Sequence, residues 1–149
     1  MFKVIKSQLS RSVPFTKLLG IEITDISASD ASVSMNVGPT LSNHVGTAHA
    51  GALFTICESA SGAALTGALL PVIMQLRFVV RDARIDYLKP AKGQVWAKAV
   101  LVEEPASVLD WLQRTGRAEV AVDVSARADD DTVVAKASFN WNLKLTTPP

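Results

Sequence analysis

Cysteine is almost absent from this chain, and Cys57 stands alone. A single thiol forms no internal disulfide and supplies no multi-cysteine zinc cage, so a disulfide-stapled secreted module is excluded and a reducing, cytoplasmic setting is expected. Charge of one sign is missing too. Fifteen Lys and Arg face fourteen Asp and Glu, a formal net charge of +1, which leaves no global field to recruit nucleic acid. Charged residues make up 19% of the chain against 48% apolar, below the usual charged share of about 25%, so the charge that exists must be unevenly placed. It is: from Ala31 to Leu76 the only formally charged residue is Glu58.

Other absences narrow the class further. The N-terminal segment spreads Lys3, Lys6, Arg11 and Lys17 among apolar residues instead of grouping charge ahead of an apolar core, so it does not read as a secretory leader. Phe2, Ile5 and Leu9 instead share one face of a short helix ending before Pro14. The apolar stretch 50–76 is long enough to span a bilayer, but it contains Glu58 and four hydroxyl side chains, and a mid-membrane carboxylate costs at least about 2.5 kcal/mol. No membrane span is expected. At 149 residues, with no linker or repeat, the chain is read as one domain, 1–149.

What is present is mostly period-two patterning. Ala118–Ala126 and Val133–Leu145 each place small or aliphatic residues on one face and charged or amide residues on the other, with Ala128–Thr132 turning between them. Leu76–Leu88 and Val95–Val102 are two further strands, joined at Lys89–Gly93. Their phase suggests a four-strand meander, and a slip near Asp82–Ala83 predicts a bulge. Ile21–Ile26 and Ala31–Val37 are earlier strands. Pro105–Arg114 reads as a short helix between late strands, opened by Pro and closed by Gly116. The segment after His49 is apolar on every side over four to five turns and therefore reads as a buried helix, with about six one-faced strands wrapped around it. The fold class is α+β.

Glu58 on that helix either finds hydrogen bonds in a polar pocket or reaches a cavity, because an unpartnered ionised carboxylate in a low-dielectric core is costly. Nine residues earlier His49 closes the polar loop Asn43–His49, which feeds the helix start, where unpaired N–H groups and a partial positive charge favour an oxyanion. Ala50 and Gly51 are small enough to admit a ligand there.

The run Asn43-x-x-Gly46-x-x-His49-Ala50-Gly51, then Glu58 and Ser59-Ala60-Ser61-Gly62, resembles the signature loop and central helix of hotdog-fold acyl-CoA thioesterases, in particular the phenylacetate-pathway type and its uncharacterised relatives. Ile85–Gly93 is similar to the family's third-strand motif, and the order of elements fits over nearly the whole chain. Two positions depart from the commonest form: Ala50 stands for the first of two glycines, and Glu58 for an aspartate.

The resemblance implies hydrolysis of acyl-CoA to free acid and CoA. Glu58 would be general base or nucleophile, the Gly51 amide would polarise the thioester carbonyl, Asn43 would orient carbonyl or water, and His49 would complete the site. It also implies a homodimer, or a dimer of dimers, with loop and carboxylate contributed by opposite subunits. Arg77, Arg81, Arg84, Lys89 and Lys92 are the candidates for holding the CoA phosphates, while Leu65 and Leu69 are candidates for the acyl pocket. Neither metal nor cofactor is required beyond CoA as part of the substrate; two histidines and one cysteine form no recognisable ligand cluster. The alternatives on the same fold are a non-catalytic acyl-CoA-binding or structural protein, and an enoyl-CoA hydratase or dehydratase.

Overall fold

The computed structural model describes residues 1–147. Helix α1 (Phe2–Ser12) ends before Pro14, which opens the single turn α2 (Pro14–Leu18) at the position where a missing N–H is harmless. Strands β1 (Glu22–Ile26) and β2 (Asp30–Val37) follow, then the buried helix α3 (Ala50–Ala68), β3 (Leu76–Tyr87), β4 (Gly93–Leu101), helix α4 (Pro105–Thr115), β5 (Arg117–Ala128) and β6 (Val133–Leu145). All six strands form one antiparallel sheet curled around α3, the hotdog arrangement. No helix among the described residues is long and apolar enough to cross a membrane.

The core is what the period-two faces predict. Val120, Val122 and Val124 on β5 and Ala135, Phe139, Trp141 and Leu143 on β6 point inward against α3, and Leu112 of α4 is sealed beneath its helix. Small residues let α3 sit close to the sheet. At Gly67 an added Cβ would lie 2.1 Å from the Ser27 carbonyl oxygen, so only glycine fits where α3 crosses the β1–β2 turn.

One expectation about topology fails. The strand order is β1-β2-β4-β5-β6-β3, so β3 is no neighbour of β4; it pairs with β6 along its whole length. The link 88–92 passes across the end of the sheet instead of closing a hairpin: the Leu88 amide donates to the Val134 carbonyl, and the Ala91 carbonyl accepts from the Ala48 amide. Alternation specifies which face a strand buries and is silent about its neighbour. The bulge in β3 is present, between Val80 and Asp82.

Candidate active site

The Asn43–His49 loop is built by one side chain. Asn43 Oδ1 accepts from the Val45 and Thr47 amides at 3.1 and 3.0 Å, and its Nδ2 donates to Thr47 Oγ1 at 2.8 Å and to the Ala48 carbonyl at 3.3 Å. Such side-chain mimicry of backbone is why Asn suits turns. Asn43 therefore shapes the loop, and both ends of its amide are used within it. The loop is anchored by the Ala48 amide on Ala91 and the His49 amide on Leu41.

His49 is the N-cap of α3. Its Nδ1 accepts from the Gly51 amide at 2.9 Å, satisfying one of the helix's orphan donors. The amide of Ala50, the first helical residue, has no protein acceptor among the described residues. His49, Ala50 and Gly51 are all solvent-exposed in the single chain. Tyr87, at the end of β3, donates its phenol to the Ala50 carbonyl at 3.2 Å and joins this rim. His44 stands exposed in the loop.

Beyond the exposed Ala50 at its start, the less buried residues of the helix are Gly51, Phe54, Glu58, Ser59 and Gly62, most of them at spacings that return to one face. Glu58 is half-buried there. Its carboxylate has no hydrogen-bond or ionic partner among the described residues, and burial holds its carboxyl above the ordinary glutamate range. The backbone beneath it is fixed by a relay in which Trp141 Nε1 donates to Ser61 Oγ at 3.2 Å and Ser61 Oγ donates to the Glu58 carbonyl at 2.7 Å. Glu58 borders a pocket of about 210 Å³ with apolar walls from Leu9, Val13, Ile23, Phe78 and Trp141. Leu65 and Leu69 do not line it. They follow Glu58 by seven and eleven residues on the same face of α3 and are fully buried in the core of the single chain.

Seven residues separate Gly51 from Glu58, which at 1.5 Å per residue is roughly 10 Å along the helix. A single thioester carbonyl and its attacking water occupy about 3 Å. The helix start and the carboxylate thus stand two turns apart on the same helix.

The five candidate cations scatter. Arg81 is bound to Asp82 and Glu119 at 2.7 and 2.6 Å, and Arg84 to Asp86 at 3.1 Å, all on the exposed outer face. Arg77 lies on that face too, in a groove beside α4. Lys89 and Lys92 alone flank Ala91, whose carbonyl anchors the site loop, and both are exposed and outside any ion pair among the described residues. Sequence reasoning missed the pocket walls from α1, although the spacing of Phe2, Ile5 and Leu9 already announced a helix with a face to dock. It also missed Tyr87's reach to the helix start, which depends on where β3 ends. No grouping of three or more metal-ligating side chains occurs among the described residues.

Comparison with known proteins agrees with this architecture. A Halobacterium salinarum protein named "Putative esterase" is 28% identical over 128 residues, covering 81% of this chain and 80% of that protein. A solved structure from Pseudomonas aeruginosa, described as "Probable Thioesterase", superposes with a TM-score of 0.81 at 23% identity over 96% of this chain and 95% of its own. A thioesterase from Haemophilus influenzae gives a TM-score of 0.78 at 16% identity, covering 98% and 92% of the two chains. The family described as "Domain of unknown function (DUF4442)" matches residues 2–143, nearly the whole chain. This protein belongs to that family, and its fold is the hotdog of the thioesterase neighbours.

Proposed function

We propose that this protein hydrolyses acyl-CoA thioesters, at sites each shared by two chains. The observation that carries the reading is Glu58: a half-buried carboxylate without protein partners, raised above its usual range, on the rim of an apolar pocket. A group kept desolvated and unpaired is costly to the fold and suited to accept a proton. In the proposed step Glu58 takes a proton from water, and the oxygen adds to the thioester carbonyl carbon. The tetrahedral oxyanion then collapses, breaking the C–S bond, and the departing thiolate takes the proton back from Glu58. The oxyanion is held at the start of α3 of the other chain, by the free Ala50 amide and by the Gly51 amide once it turns from His49.

The second chain follows from the family resemblance, in which loop and carboxylate come from opposite subunits. The long edge strand β3, with Val79 exposed and its outer backbone groups unpaired, is the surface suited to bring them together. Lys89 and Lys92, exposed beside the loop, are the cations assigned to the CoA phosphates in this reading. The pocket, about 210 Å³ in a single chain, has apolar walls suited to an acyl group.

The test is thiol release from a panel of short, medium, long and aromatic acyl-CoAs by wild type and Glu58→Gln. Release from members of the panel, reduced at least about a hundredfold in the variant, is expected. Undiminished release by Glu58→Gln would overturn the mechanism. A second reading, binding without turnover, is favoured by the His49–Gly51 bond, which occupies one donor. It predicts tight acyl-CoA binding with no thiol released.

A further inference from the structure

The outer face of the sheet contains a charge arrangement that the site above does not use. On β3, β6 and β5, Arg77 lies opposite Lys144, and Lys144 lies opposite Arg117, so three cations form one row across three strands. Cross-strand neighbours stand about 5 Å apart, and like charges placed directly opposite destabilise a sheet. Elsewhere this face avoids such contacts: Lys136 has Asp86 on one side and Ser125 on the other, and Ser138 separates Arg84 from Asp123. None of the three row cations forms an ion pair among the described residues. The two acids nearby are engaged elsewhere, Glu119 with Arg81 and Glu103 with the Ala121 amide.

The row lies at the floor of a groove of about 1040 Å³, walled on one side by α4. Trp111 of α4 lines it with 54% of its surface exposed, beside Val108 and Leu143. Three unpaired cations over roughly 10 Å match an anion with more than one phosphate, and an exposed indole offers a stacking surface for a planar ring.

We infer that the groove under α4 binds a nucleotide carrying two or more phosphate groups, with the phosphates on Arg77, Lys144 and Arg117 and the base against Trp111. None of the groove's lining residues borders the Glu58 pocket, and the inference does not rest on the hydrolase reading. Both a free nucleotide and the nucleotide end of CoA have the required chemistry.

The test is calorimetric titration of the full chain with ADP, adenosine, pyrophosphate and CoA at low salt. ADP is expected to bind one per chain, adenosine at least about tenfold more weakly, with ADP affinity falling as salt rises. Lys144→Gln and, separately, Arg117→Gln should each weaken ADP about tenfold or more, with circular dichroism confirming that the fold is kept. Trp111→Ala should weaken ADP but leave pyrophosphate unchanged. CoA that competes with ADP and binds more tightly identifies the carrier nucleotide as the occupant; CoA that binds more weakly identifies a free nucleotide. ADP binding should be the same in Glu58→Gln, so loss of hydrolysis and loss of this site are read separately. Absence of ADP binding, equal affinity for adenosine, or binding unaffected by both cation substitutions would overturn the inference, as would self-association that buries Trp111 and excludes ADP.

Discussion

If each site takes its helix start from one chain and its carboxylate from another, two inactive variants should restore each other. Glu58→Gln removes the base and leaves the loop intact. Ala50→Pro removes the free amide and leaves the base intact, and the structure tolerates it: Ala50 is the first helical residue, where proline is favoured, and His49 already has φ −61° and ψ 140°, the backbone that precedes proline. Each variant alone is expected to lose activity by about 10²–10³-fold, the usual magnitude for a catalytic base or an oxyanion donor. Random reassortment of equal amounts puts about half the molecules in mixed dimers, each with one site intact and one doubly defective, so the mixture recovers about a quarter of wild-type activity per chain. The assay is thiol release before and after subunit exchange of differently tagged chains, with mixed dimers isolated by sequential affinity capture. Isolated mixed dimers that stay as inactive as their parents would refute the shared site. So would wild-type activity from a chain held monomeric.

Other predictions concern stability and reactivity. Glu58 binds its proton more tightly in the folded chain than in the unfolded one, so its contribution to stability is greatest below the unfolded pKa of about 4.3 and is lost as pH rises through the folded value. Glu58→Gln should therefore raise Tm at neutral pH, with the gain vanishing near roughly pH 4, while hydrolysis by wild type rises with pH through a value above the ordinary carboxylate range. Gly67→Ala forces a methyl against the Ser27 carbonyl and Ile26 and should cost at least about 2 kcal/mol in urea unfolding, without removing any site residue. Cys57 is sealed in the core with its thiol pushed up to about 12; a thiol reagent should leave it untouched in the native chain and titrate it on unfolding.

Much of this architecture is written in local patterns. The alternating faces of β5 and β6, the helix end before Pro14, the helix start at Pro105, the bulge in β3 and the all-apolar α3 each express a constraint satisfied within a few residues, and each is found close to where the pattern puts it. The position of β3 beside β6 instead of β4 is a different kind of fact, because both candidate neighbours present an apolar inner face and alternation does not select between them. The site divides in the same way. A lone acid in a neutral stretch marks Glu58, since burial without compensation is rare whatever the fold. Asn43's commitment to its own loop, the His49–Gly51 bond and the Arg81 and Arg84 ion pairs depend on rotamers and cross-strand neighbours that spacing does not encode. The pocket walls from α1 required knowing where that helix docks.

The placement of β3 also dictates a schedule for the nascent chain. Leu76 pairs with Leu145, far along the chain, so this strand emerges from the ribosome long before its partner has been synthesised. Until β6 arrives, both rims of β3 lack their bonding mates, and the sheet can zip shut only after residues 133–145 have been made. Truncation within β6 should therefore strand this segment as a sticky ribbon, turning a small deletion into an aggregation problem.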